Sequence, residues 1–128
     1  MGKPILCLDF DGVIHSCSSG WKGADVIPDP IVDGAIAFML GALRDFDVVI
    51  FSSRSNQPGG LQAMQRWLYE EAGQLCWYET PDGPGLEDIR FVTEKPPAMV
   101  TIDDRALNFD GTWPAIKTLK EFKPWNRK

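Results

Sequence analysis

The residues of this chain whose types and spacing could do chemistry are aspartates. Asp9 and Asp11 stand two apart after the apolar run Ile5 to Leu8, and Asp103 and Asp104 follow a similar run from Ala98 to Ile102. A third run, Val48 to Phe51, stops at Ser52 and Ser53. In extended backbone, side chains two apart leave on the same side, so Asp9 and Asp11 are expected to point together, with Gly12 letting the chain turn away beneath them. If these runs are parallel strands, their carboxyl ends share one edge of the sheet, where open α/β domains bind ligands. The four carboxylates and Ser52 would then converge. Carboxylates gathered in this way repel one another and raise each other's proton affinity unless a cation offsets their charge. An all-oxygen set with room for water and phosphate describes Mg2+ better than zinc or a dedicated calcium cage. Lys95, in the stretch leading to Asp103, carries a positive charge that complements a phosphate.

The elements that would position these residues can be read from the apolar pattern. Ile5 to Leu8 is continuous rather than alternating, as in a strand buried on both faces. Asp29 and Pro30 read as N-cap and first residue of a helix, with Ile31, Ala35, Met39 and Leu43 forming an i, i+4 stripe beside Val32, Ile36 and Leu40, and Arg44 in the last turn. Val48 to Phe51 is the second strand. Asn56 to Gly60 is a turn, and Leu61, Met64, Leu68 and Ala72 predict a second helix closed by Gly73 in a left-handed conformation. Glu79 to Gly85 reads as loop, Ile89 to Val92 as a short strand, Ala98 to Ile102 as another buried strand, and Ala115 to Phe122 as a last helix after Pro114. Strands alternating with helices predict a parallel sheet, because parallel neighbours need crossover connections.

The 128 residues suit a single domain, residues 1–128, at about 150 residues per domain. With 44% apolar and 24% charged residues the composition is that of a globular chain, not a disordered or fibrous one. Net charge is −5, and residues 117–128 carry five basic side chains against Glu121 alone, so the body is more acidic than the total indicates. An acidic body disfavours nucleic acid as a partner, and the basic tail reads as a solvated helix face. Cys7, Cys17 and Cys76 form no CxxC pair and, with one histidine, supply too few ligands for structural zinc; a reducing compartment and a cytoplasmic location are expected. No apolar run approaches the roughly 20 residues of a membrane span.

The ordered series DFDG, a strand-ending serine, a lysine and IDDR resembles the four motifs of the haloacid dehalogenase (HAD) superfamily, over residues 5 to about 105. The resemblance implies a HAD-like Rossmannoid three-layer α/β/α domain with a central parallel sheet. It makes Asp9 the nucleophile of a phosphoric monoester hydrolase passing through an aspartyl phosphate, and Asp11 the general acid and base. Ser52 would hydrogen-bond the transferring phosphoryl group, in preference to Ser53, and Lys95 would neutralise its charge. Mg2+ would be held by Asp9, the backbone carbonyl of Asp11 and the motif-four acid, with Asp104 favoured as direct ligand and Asp103 as its neighbour, although the doublet permits the reverse. The gaps between Gly12 and Asp29 and between Ser53 and Glu94 are too short for a helical cap domain, so the likeness is to the capless branch, whose open site suits phosphates on bulky substrates. Its implied partner is a phosphorylated substrate, small or macromolecular.

Other residues read as structural. His15 is expected to be a satisfied core histidine, Arg54 and Arg105 to pair with the acidic cluster, and Trp67, Trp77, Trp113 and Trp125 to be packing residues. Two further functions compete with a general phosphatase: processing of polynucleotide or nucleotide ends, and a non-catalytic phosphate-binding interaction module.

Overall fold

The computed structural model describes residues 2–75 and 85–125. Its centre is a four-stranded parallel sheet formed by β1 (Ile5–Leu8), β2 (Asp47–Ile50), β3 (Arg90–Phe91) and β4 (Val100–Ile102), in the order β3-β2-β1-β4. The helices among the described residues are α1 (Ala35–Ala42), α2 (Gly60–Leu75) and α3 (Ile116–Lys120), with a 3-10 turn at Leu86–Asp88. The parallel α/β architecture expected from the alternating pattern is present.

Leu6, Leu8, Val48 and Ile50 share one core with Ile36, Met39 and Leu43 of the first crossover and Met64, Trp67, Leu68 and Ala72 of α2. These strand residues are of one parity, hence on one face of the sheet, with both longer helices against it. Cys7 and Val49, on the opposite face, are also buried. No helix among the described residues is long and apolar enough to cross a membrane.

Several expected boundaries move, each for a local reason. The first helix does not start at Asp29 and Pro30. The backbone there is engaged elsewhere: Ser16 N–H donates to Pro30 O at 3.0 Å and Val32 N–H to Ile14 O at 2.8 Å, with an antiparallel bridge between His15 and Ile31. The helix begins only after Gly34, whose φ of 83° breaks that pairing, and it ends before Arg44. Asp29 instead accepts hydrogen bonds from the N–H and hydroxyl of Ser19. Gly73 does not stop the second helix, which continues through it to Leu75; one glycine costs a helix only about 1 kcal/mol.

The fourth strand is not buried. Val100 is 46% and Ile102 39% exposed, because β4 is an edge strand with β1 as its neighbour. α3 is shorter than expected and has no buried residue. Trp67 packs in the core as expected, but Trp113 is 83% exposed and Trp125 more than half exposed. Cys76, Trp77, residues 79–84 of the expected loop, Arg127 and Lys128 lie outside the described residues.

Candidate functional site

Parallel register brings the polar strand ends together. Leu8 is paired with Ile50 on one side and Ile102 on the other. One step further, Asp9 N–H donates to Ile102 O at 3.0 Å, which sets Asp9 beside Asp103. Phe51 N–H donates to Leu8 O at 3.1 Å, so the chain leading to Ser52 leaves from the same edge.

Carboxylate oxygens of Asp9, Asp103 and Asp104 all lie within 4.8 Å of one another. Gly12 makes this approach possible. Its φ is 82°, and a Cβ there would lie 2.1 Å from Asp104 Oδ2, so a side chain is excluded by both conformation and space. Asp103 Oδ1 accepts the Arg105 N–H at 2.8 Å, whereas Asp104 Oδ1 is buried with no hydrogen-bond partner. Burial first, then the Asp103 and Asp104 carboxyls, push Asp9 from its ordinary 3.8 up to about 8, against the opposing pull of the Phe10 N–H. No lysine or arginine forms an ion pair with these three acids among the described residues.

Asp11 does not share this environment. The two-apart rule lapses because β1 ends at Leu8 and the chain turns at once, with the N–H groups of Ile14 and His15 both donating to Phe10 O. Asp11 turns to His15 Nδ1, at 2.9 Å, and to Arg54 Nε, at 2.9 and 3.1 Å from its two oxygens. Burial alone would raise its carboxyl, but the hydrogen bonds from His15 and Arg54, with the guanidinium charge, outweigh burial and hold it below the usual carboxylate range. His15 is fully buried between Phe10 and Trp67, and its Nε2 accepts the Asp29 N–H at 3.0 Å. An accepting Nε2 leaves Nδ1 as the protonated nitrogen of the neutral ring, so His15 donates to Asp11. Both ring nitrogens are used, as expected of a core histidine.

Arg54 is the residue whose weight the sequence underplays. Fully buried, it binds Asp11 and places Nη1 within 3.0 Å of the carbonyls of Gly23, Ala24 and Val26. Its guanidinium carbon lies 4.6 Å from the Trp21 ring centre. The next helix must start hard against it: a Cβ on Gly60 would lie 2.0 Å from Arg54 O. Pairing with an acid was foreseeable, but the three carbonyls and Trp21 leave no mark in sequence spacing.

Ser52 is buried, and its Oγ accepts the Arg54 N–H at 3.2 Å, which orients the hydroxyl while leaving its own proton to donate. Lys95 is exposed in the β3 to β4 connection. Its charge acts on the Cys7 thiol, which burial and Asp9 push up and Lys95 pulls down, so the ammonium is within electrostatic reach of the side of β1 that carries Asp9. The structure therefore brings Asp9, Asp103 and Asp104 into one cluster, sets Asp11 apart in a second, and holds Ser52 at the same edge.

Two cavities among the described residues lie elsewhere. One of about 510 Å3, lined by Lys3, Asp47 and Arg90, sits at the amino ends of the strands. The other, about 240 Å3, is an apolar groove between α1 and Ile102. Within the acidic cluster, Asp9 and Asp104 are half-buried and Asp103 is exposed.

No protein-family model, curated protein or solved structure matches the chain.

Proposed function

We propose that the protein is a Mg2+-dependent phosphatase of the HAD type, with the three-layer capless domain of that superfamily, hydrolysing a phosphate monoester through an aspartyl phosphate on Asp9. The observation that carries this reading is the cluster of Asp9, Asp103 and Asp104 with a buried, unpartnered oxygen on Asp104. Three crowded carboxyl groups and an unsatisfied acceptor fit a hard cation with oxygen ligands. Asp104, whose Oδ1 is unengaged, suits a direct ligand better than Asp103, whose Oδ1 is bonded to Arg105. When bound, Mg2+ offsets the carboxylate charge and stabilises the phosphoryl oxygens.

This chain's own residues then divide the work. Offset of the cluster charge releases the proton from Asp9, and its carboxylate attacks phosphorus as the bond to the leaving oxygen breaks. Ser52 donates to a phosphoryl oxygen, and Lys95 approaches the same group from the exposed connection. Asp11 enters as a carboxylate, suited to take a proton from the water that opens the aspartyl phosphate. To protonate the leaving oxygen beforehand, it must be loaded with a proton against the pull of Arg54 and His15.

The test is phosphate release from p-nitrophenyl phosphate with Mg2+. Wild-type protein is expected to turn over, and Asp9→Asn to retain less than about 1% of the rate. Equal rates in the two proteins would refute the assignment of Asp9.

A further inference from the structure

The segment after β4 is exposed along nearly all of residues 105–121, yet its end returns to the site. Pro124 is buried, and the indole Nε1–H of Trp125 donates to Gly12 O at 2.6 Å. Gly12 is the residue that lies against the Asp104 carboxylate, so a single backbone residue separates this indole from the acidic cluster. The ring is pinned by its polar edge but stays 54% exposed. Lys117, Lys120 and Lys123, also exposed, precede it.

We propose that Trp125 is a stacking platform for a nucleobase carried by the substrate, so that the ligand is a nucleoside monophosphate, free or at the end of a nucleic-acid strand. This rests on the phosphatase reading of the same site. The offset decides the class. An aryl ring attached directly to a phosphate at the carboxylates stays close to it, whereas a pentose sets a base further off, and the indole stands one residue, Gly12, away from the cluster. An indole held at one edge offers its face without further loss of rotamer freedom, and every base has a face to stack. The exposed Lys117, Lys120 and Lys123, which precede Trp125 in the chain, supply positive charge that a strand would need.

The test reads binding without turnover. Calorimetry with Mg2+ compares full-length wild-type protein, Trp125→Leu and Trp125→Phe, using three non-hydrolysable phosphonates: the methylenephosphonate analogue of adenosine 5′-monophosphate, a ring-free alkylphosphonate and an arylphosphonate. Wild type is expected to bind the nucleoside compound at least about fivefold more tightly than the alkyl compound, the lower end of a single base stack. Trp125→Leu should erase that preference without weakening the alkyl compound, and Trp125→Phe should keep part of it. No preference in wild type, an unchanged preference in Trp125→Leu, an equal loss for all three ligands, or an equal benefit to the arylphosphonate would each overturn the proposal. The same nucleotide analogue at the end of a short single strand distinguishes the sources. Tighter binding that weakens with salt marks a strand end, and equal affinity marks a free nucleotide. Failure of p-nitrophenyl phosphate turnover would count against the phosphatase alone, since base preference is measured independently of it.

Discussion

Asp9 lies among carboxylates, whereas Asp11, two residues further along, lies between an imidazole and a guanidinium. Both are partly buried, and burial alone would raise the proton affinity of each. Their partners send them in opposite directions, Asp9 up to about 8 and Asp11 down. The contrast shows that adjacency in sequence does not fix electrostatic role. Asp11 is paired with a cation of the protein itself and helps to hold a loop, while among the described residues Asp9, Asp103 and Asp104 have only backbone donors or one another, and Asp104 Oδ1 has no partner.

The strongest way to break this contrast is to remove the internal cation. Arg54→Met should destabilise the protein by ~3–5 kcal/mol in chemical denaturation, because it leaves Asp11 charged, buried and short of its partner. Arg54→Lys should recover only part of that, since a lysine cannot reach a carboxylate and three carbonyls with a planar fork. Stability unchanged in Arg54→Met would mean that the pairing is incidental.

A smaller effect comes from the unsatisfied cluster. Mg2+ at about 100 times its Kd should stabilise wild type by ~2.7 kcal/mol. Asp104→Asn should lose most of this gain, yet be more stable than wild type when no divalent ion is present, because one of the crowded carboxylates beside Asp9 is gone. A full response to Mg2+ in Asp104→Asn would remove Asp104 from the ligand set.

The pH dependence of stability separates the two aspartates by sign. Below 3.8 Asp9 is protonated in both folded and unfolded chains, and above that value the unfolded chain loses its proton first. Without divalent ions, the contribution of Asp9 to stability is therefore lost as pH rises from about 4 through about 8. Asp11 behaves in the opposite sense: its contribution is present above 3.8 and is lost as pH falls through its lowered folded value. Denaturation curves across this range should show Asp9→Asn flattening the upper limb alone. Binding of Mg2+ near pH 6 should release protons from wild type and fewer from Asp9→Asn.

Features fixed by short-range apolar pattern were legible in the sequence. Ile5–Leu8 is a strand with the expected bounds, and the parallel arrangement followed from alternation of element types. The meeting of Asp9 with Asp103 and Asp104 was likewise accessible, because parallel strands that end in aspartate must place those ends on one edge. What could not be read depends on partners distant in sequence. Pro30 starts no helix because its carbonyl is taken by Ser16, and Asp11 leaves its expected company because Arg54, 43 positions away, claims it. Strand pattern alone also could not tell that Val100 and Ile102 sit at an edge, since a buried central strand and a half-covered outer one use the same residue types.

The reach of Arg54 into the carbonyls of Gly23, Ala24 and Val26 has a dynamic consequence. That segment cannot lift away without stripping the guanidinium of its acceptors, so amide hydrogens along residues 21–26 and those of the Asp11 turn should exchange with solvent in one opening event, with a shared denaturant dependence. Residues 21–26 and the Asp11 turn would then breathe as a single cooperative unit.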